Sequence, residues 1–353
     1  MVVSPTHHRK PWEGRRVLVT GHTGFKGSWL VTWLDMLGAR VHGFALPPSS
    51  QPNLHDLLDV PSFVSGRFGD VRDRDAVARA FDAAKPDVVF HLAAQPLVRS
   101  SYDDPLGTFA TNVMGTAHVL DVARAHEPAA VVIVTSDKCY DQRGVHAPFR
   151  ESDPLGGHDP YSASKAAAEI VAASYRRSYF ERGATVATAR AGNVVGGGDW
   201  SADRLVPDIV KAAQAGRPLH LRHPSALRPW QHVLDALAGY LTVAERALTG
   251  DRTVGRAWNF GPLEAALTVE EVTHRLLRAL NSAIPIVVDA QAGPHEAAQL
   301  ALDASDAVDL LQWRPRFDID ATIQATAAWY DAYAHRADIR ALTRAQIGGA
   351  VRP

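Results

Sequence analysis

Tyr161-Ser162-Ala163-Ser164-Lys165 spaces a phenol and an ammonium four residues apart, which on a helix is one turn apart on one face. An ammonium beside it favours the tyrosinate form, so such a phenol can take the proton of an alcohol near neutral pH. Earlier in the chain, Thr135-Ser136-Asp137-Lys138 offers hydroxyls, a carboxyl and an amine in succession. Ser136 would hold the oxygen of a reacting alcohol. Asp137 and Lys138 are either a working acid–base couple or a solvated ion pair at a strand end. A third pattern, Gly21-x-x-Gly24-x-x-Gly27, can make a tight turn whose backbone N–H groups reach a pyrophosphate at a helix N-terminus. Gly21, Thr23, Gly24, Phe25, Lys26 and Gly27 are thus candidate contacts to a dinucleotide, against the plainer reading of an ordinary glycine turn.

The elements that must position these groups are legible in the hydrophobic pattern. Residues 16–20 read as a buried strand, 21–27 as the turn and 28–37 as an apolar helix broken by Gly38. Further strands are expected at 41–46, 87–92 and 130–135, with helices at 74–84 and 108–126 between them. Strands alternating with helices indicate an α/β fold, a Rossmann-type doubly wound parallel sheet. From about 201 the texture changes: Pro207, Pro218, Pro224 and Pro229 punctuate short segments, and helices are expected at 235–249 and 269–280. The resulting division is a polar leader (1–15), a dinucleotide-binding domain (16–200, with 231–262 a possible contributor), a smaller mixed α/β substrate domain (201–335) and a peripheral tail (336–353).

At the end of the second strand Phe44-Ala45-Leu46-Pro47-Pro48 carries no acidic residue for a ribose, so NAD and NADP both stay open. In Gly69-Asp70-Val71-Arg72-Asp73, Asp70 and the Val71 backbone either meet an adenine edge or form a strand-to-helix turn with a capping Asp.

Composition narrows the function classes. With 353 residues the chain suits about two domains, and 37 Lys+Arg against 38 Asp+Glu leave a net charge of −1. That balance argues against a main role in gripping nucleic acid or an anionic membrane. The one cysteine, Cys139, excludes an internal disulfide or a Cys-rich zinc site, and sixteen histidines without a HExxH spacing give no case for a metal. No run approaches the ~18 apolar residues of a membrane span, so a cytoplasmic location is expected.

Longer blocks carry a resemblance. GHTGFKGSWL at 21–30, TSDKCY at 135–140, DPLGGHDPYS at 153–162, RAGNVVGGGDW at 190–200, RPWQHVL at 228–234 and PHEA at 294–297 resemble the extended short-chain dehydrogenase/reductases, and among them the CDP-glucose 4,6-dehydratases, over about 16–330. That resemblance implies oxidation of a nucleotide sugar at C4 by bound NAD, loss of water across C5 and C6, and return of the hydride to C6. Tyr161 would take the C4 hydroxyl proton, Lys165 would lower its pKa and hold the nicotinamide ribose, and Ser136 would bond the C4 oxygen. Asp137 would protonate the departing C6 hydroxyl. Lys138 stands where dTDP-glucose dehydratases carry a Glu, and would either remove the C5 proton or stabilise the enolate.

The resemblance also implies cofactor contacts from Asp70, Val71, Leu92, Ala93, Ala94, Gln95, Asn112, Thr135 and Arg190, with Gln95 near the nicotinamide. Arg204, Arg222 and Arg228 would grip the nucleotide's diphosphate bidentately, with Asn193 on the pyrophosphate side. Trp230 or Trp200 either meets substrate or fills the core, and His232 and His295 either touch substrate or are structural. A homodimer through a helical face is expected. Rival readings are a 4-epimerase, or a dehydratase of another nucleotide sugar, and more remotely a non-catalytic NAD-binding regulator. Asp137-Lys138 counts against the epimerase, which eliminates nothing across C5 and C6.

Overall fold

The computed structural model describes residues 9–142, 147–289 and 300–351. Strands β1 (Arg16–Thr20), β2 (Arg40–Ala45), β3 (Ser65–Phe68), β4 (Val88–His91), β5 (Ala130–Val134) and β6 (Thr185–Ala191) join a seventh strand, Ala257–Phe260, in one sheet. Their order is seventh-β6-β5-β4-β1-β2-β3, and every neighbouring pair is parallel. A parallel sheet is covered on both faces, which is why β4, β5 and β6 are buried at every position; β5 (AVVIV) reads as an unbroken apolar run, whereas β4 ends on His91 and β6 carries Thr185, Thr188 and Arg190. One face carries Trp29, Leu30, Trp33, Leu237 and Tyr240, and the other Phe81, Val119, Leu120 and Ala172. This is the doubly wound α/β arrangement expected from the sequence.

From β1 the chain winds to one side through β2 and β3, and from β4 to the other. The loops after β1 and β4 therefore diverge and open a crevice at the carboxyl ends of the strands, where ligands bind in such sheets. After Trp200 the chain builds small pairings beside that crevice: Leu219–Leu221 with Ile286–Val288, and Leu227–Arg228 with Leu267–Thr268. The helix Val233–Leu248 runs back onto β5 and β6.

Three expectations change. The helix expected at 108–126 is interrupted: Pro105–Phe109 gives way to a π-helical turn, Ala110–Met114, before Gly115–His126, and the wide turn holds Asn112 against the β4 loop. The leader is more than polar, because Trp12 is fully buried and donates from Nε1 to Glu245 Oε1 at 2.5 Å. The tail is not peripheral. Ile339–Val351 is a helix packed on Phe25–Met36 and Ile319–Ala334, with Ile339, Thr343 and Ile347 buried at i, i+4, i+8. Trp329 Nε1 donates to Thr343 Oγ1 at 3.0 Å, and Arg344 pairs with Asp35 at 2.9 Å.

Candidate active site

The glycine turn is shaped by close approach. Gly21 has φ +74°, and a Cβ there would lie 2.7 Å from the Ala93 nitrogen; a Cβ on Gly27 would overlap the Gly21 carbonyl. Gly24 differs, since its Cβ would meet only the Gly21 oxygen, at an ordinary 3.5 Å. It precedes the helix Phe25–Met36, whose first turn no side chain caps, and Phe25 and Lys26 line the cleft. An open backbone cradle at a helix N-terminus fits a dinucleotide pyrophosphate. Thr23 Oγ1 donates to the Leu46 carbonyl at 2.9 Å, tying the turn to the end of β2. Burial beside Lys165 and Arg204 brings the Lys26 ammonium down to about 7.

Asp70 does not cap the next helix. Asp73 does, accepting from the Asp75 and Ala76 amides at 2.9 and 3.0 Å, while Asp70 is held by Arg72 through its backbone N–H at 2.8 Å and its Nη2 at 2.6 Å. Val71 is buried and its carbonyl accepts from His118 Nδ1 at 2.9 Å. After β4, the Leu92 and Ala93 amides donate to Thr20, and Leu92 and Ala94 line the cleft. Gln95, expected beside the nicotinamide, turns its side chain inward instead: Nε2 donates to Leu97 O and Thr108 Oγ1, and Oε1 accepts from the Leu97 amide. Asn112 brackets the Gln95 backbone, accepting from its N–H at 2.8 Å and donating to its C=O at 3.0 Å. Its Nδ2 also reaches Ser164 Oγ at 2.8 Å, so the β4 loop is pinned to the helix Pro160–Tyr179.

That helix starts where the sequence favours it, with Asp159 as N-cap on the Ser162 amide and Pro160 in the first turn. Tyr161 therefore lies in its first turn, against the end of β5. There Ser136 accepts from the Lys138 amide at 3.2 Å and donates to Asp137 Oδ1 at 2.9 Å, and its hydroxyl is near enough to the Tyr161 phenol to favour the phenolate. Asp137 is 1% exposed, and its Oδ2 has no hydrogen-bond partner among the described residues. Gly192 faces that oxygen, and any Cβ there would overlap it. Lys138 Nζ lies 3.5 Å from Asp137 Oδ1.

Burial pushes Tyr161 up to about 12, with Asp137 adding to the rise and the Ser136 hydroxyl and Arg204 opposing it. The expectation that Lys165 lowers Tyr161 meets a different arrangement. Lys165 Nζ donates to the Val134 carbonyl at 3.3 Å, and burial brings it down to about 8 against the pull of Glu169. The cation acting on the phenol is Arg204.

Beneath this cluster lies a buried polar network. Glu169, one helical turn beyond Lys165, accepts from Thr135 Oγ1 at 2.5 Å, Thr188 Oγ1 at 2.7 Å and Arg190 Nη2 at 2.8 Å. Arg190, expected at the cofactor, is 3% exposed and is held below the cleft by Glu169 and by the Tyr140 hydroxyl at 2.7 Å. Burial pushes the Glu169 carboxyl upward, but the Arg190 charge and the three hydrogen bonds outweigh it and hold it below the ordinary range. A depressed folded-state pKa adds stability above the unfolded value, and that stability is lost as pH falls. Glu169→Gln should therefore cost about 3–5 kcal/mol near neutral pH by stranding Arg190. In urea unfolding, the gap between wild type and variant should narrow on acidification through the carboxylate range. A gap that is small, or constant with pH, would refute this.

Across the cleft, Arg204 pairs with Asp199 at 2.9 Å and Arg222 with Asp203 at 2.7 Å. Arg228 is buried and donates to Leu227 O at 2.9 Å, and Trp230 Nε1 donates to Leu267 O at 3.1 Å. Asn193 has φ +39° and a buried Oδ1 without a hydrogen-bond partner among the described residues. These residues all line the cleft. His232 is instead fully buried, stacks on Phe317 at 4.2 Å and accepts from the Leu234 amide, so it is a helix cap in the core. Trp200 packs against Tyr330 and Tyr333. His295 lies outside the described residues.

The profile of the family described as GDP-mannose 4,6 dehydratase matches residues 18–326. The chain belongs to this dehydratase family. It is 43% identical over 344 residues to the CDP-glucose 4,6-dehydratase of Salmonella typhimurium, covering 95% of this chain and 96% of that one. DesIV, a dTDP-glucose 4,6-dehydratase from Streptomyces venezuelae solved with NAD and TYD bound, superposes with a TM-score of 0.77 at 27% identity, over 91% of this chain and 98% of that one. The epimerase Mth375 of Methanothermobacter thermautotrophicus reaches 0.82 at 23% identity, over 94% and 96%, so the fold is shared with epimerases.

Three further residues of this dehydratase belong to the site: Glu169, Asp199 and Arg99. Glu169 was detectable, since it follows Lys165 by four positions on the same helix face. Asp199 and Arg99 had no such local signal: Asp199 matters through Arg204, and Arg99 lines the cleft from the helix Val98–Asp103.

Proposed function

We propose that the protein is a CDP-glucose 4,6-dehydratase that uses NAD and forms CDP-4-dehydro-6-deoxyglucose. The observation that carries the dehydratase reading is a carboxyl, Asp137, buried in direct contact with the Ser136–Tyr161 hydroxyl pair. Alcohol oxidation needs the hydroxyl pair, and the adjoining carboxyl adds the acid that loss of a C6 hydroxyl requires. The 43% likeness over nearly the whole chain supports cytidine as the base.

Bound NAD would supply a reversible two-electron acceptor, so that the overall reaction is redox-neutral. Gly21, Gly24, Phe25 and Gly27 would seat its pyrophosphate, with Lys165 at the nicotinamide ribose. Tyr161 takes the proton of the C4 hydroxyl while Ser136 holds its oxygen. Once C4 is a ketone the C5 proton is acidified; Lys138 as a neutral amine removes it, the ammonium so formed stabilises the enolate, and Asp137 protonates the leaving C6 hydroxyl. Arg204, Arg222, Arg228 and Asn193 hold the diphosphate, with Trp230 beside them. The cofactor belongs to the 16–200 part and the nucleotide sugar to the cleft between it and 201–335.

A homodimer is supported by Leu106, Phe109, Met114, Ile170 and Tyr179, large apolar side chains exposed on the two helical segments that flank the site. No helix of the described residues is long and apolar enough to cross a membrane, and we place the protein in the cytoplasm.

The test is to incubate the protein with NAD and CDP-, dTDP-, UDP- or GDP-glucose and follow the alkali-induced absorbance of a 4-keto-6-deoxy product. Product from CDP-glucose alone is expected. Product from another nucleotide would move the base assignment, and none from any would sink the dehydratase reading.

A further inference from the structure

We propose that Arg99 and Arg222 form a two-arginine clamp on the substrate diphosphate, and that Asp203 is the carboxylate which occupies this clamp until the diphosphate displaces it. The inference rests on the nucleotide-sugar reading above and adds Arg99 and Asp203 to it.

The two arginines reach one oxygen from opposite sides of the cleft. Arg99 belongs to the helix Val98–Asp103, which follows β4 of the large sheet, while Arg222 directly follows the Leu219–Leu221 strand in the part beyond Trp200. Arg222 Nη1 is 2.7 Å from Asp203 Oδ1, and Arg99 Nη1 is 3.8 Å from the same atom. One carboxylate thus faces two guanidinium groups and satisfies only the nearer with a hydrogen bond. Arg99 Nε is buried and has no hydrogen-bond partner among the described residues, so the farther arginine is under-supplied with acceptors. Asp203 itself sits at φ +58°, a left-handed backbone that aspartate tolerates better than most residues, and its side chain is 41% exposed. A half-exposed carboxylate held this way can leave at little cost.

A diphosphate meets what this arrangement lacks. It offers more negative charge than one carboxylate and enough oxygens for bidentate bonds to both forks. Arg204 and Arg228, which also face the diphosphate, are anchored by Asp199 and by the Leu227 carbonyl, His220 is paired with Asp289, and Asp208 stands near Arg222.

Calorimetric titration of the whole protein with CDP tests the clamp without relying on turnover. Arg99→Met and Arg222→Met should each weaken CDP by about tenfold or more, the scale of a lost hydrogen bond to a charged group. Asp203→Asn should tighten it about three- to tenfold, because a competing anion is gone, and should have no effect in the Arg99→Met/Arg222→Met background. NAD affinity should stay the same in every variant. An Arg99→Met protein that binds CDP within twofold of wild type, or an Asp203→Asn protein that binds it more weakly, overturns the proposal. If wild type ignores CDP but takes another nucleoside diphosphate, the cytidine reading fails and the same variants decide the clamp with that ligand. If it takes none, the clamp is refuted.

Discussion

Tyr161→Phe should lower turnover of the nucleotide sugar by about 10³-fold, while the affinities for NAD and for CDP stay within a few fold. The substitution removes one oxygen and keeps the ring that fills this buried position. What it deletes is the acceptor for the C4 hydroxyl proton, together with the phenol's interaction with Ser136. The pH profile adds a second readout. With the phenol at about 12, the free protein holds little tyrosinate at neutral pH, so wild-type kcat/KM should climb as pH rises from the acid side. Lys165, at about 8, loses its charge above that value, and activity should fall there. The variant should lose the climb. Retention of more than a tenth of wild-type turnover, with the profile unchanged, would remove Tyr161 from the proton-taking role.

Asp137→Asn should cost about 10²–10³-fold in product formation and separate the two halves of the reaction. Oxidation at C4 draws on Tyr161 and Ser136, which the substitution leaves in place, so a single turnover should still generate the absorbance of reduced nicotinamide. Elimination needs a proton for the C6 hydroxyl, which an amide cannot supply, so that absorbance should persist where wild type shows it only transiently. The geometry makes this residue hard to replace: its Oδ2 lies buried without a hydrogen-bond partner among the described residues, and Gly192 leaves it room. If the variant loses oxidation and elimination in equal measure, Asp137 holds the site together rather than serving as its acid.

Several features of this site were readable from the chain alone because the groups concerned are neighbours in sequence. Gly21 and Gly24 lie in the turn between a strand and a helix, and Gly27 in the first turn of that helix. Ser136, Asp137 and Lys138 are consecutive, and Tyr161 and Lys165 share a helix face. The parallel sheet was legible for a related reason, since strands covered on both faces are mostly apolar, as β5 is along its whole length. Misplaced residues have their decisive partners elsewhere. Arg190 looks like a cofactor ligand until Glu169 and Tyr140 close around it, and His232 like a substrate contact until Phe317 stacks on it. Gln95 is drawn inward by Thr108 and held in a loop pinned by Asn112. The docked tail belongs to the same class, although its buried positions at 339, 343 and 347 carried a faint helical signal.

The sequence by itself determined the fold class, the glycine cradle and the residue types at the reacting centre, because local spacing and burial on both faces of a sheet leave few alternatives. Only the tertiary structure decided which charges remain available to a ligand. A buried or half-buried arginine or histidine takes the best partner within reach, and that partner came from elsewhere in the chain: Glu169 for Arg190, Phe317 for His232, and one Asp203 oxygen shared by Arg99 and Arg222.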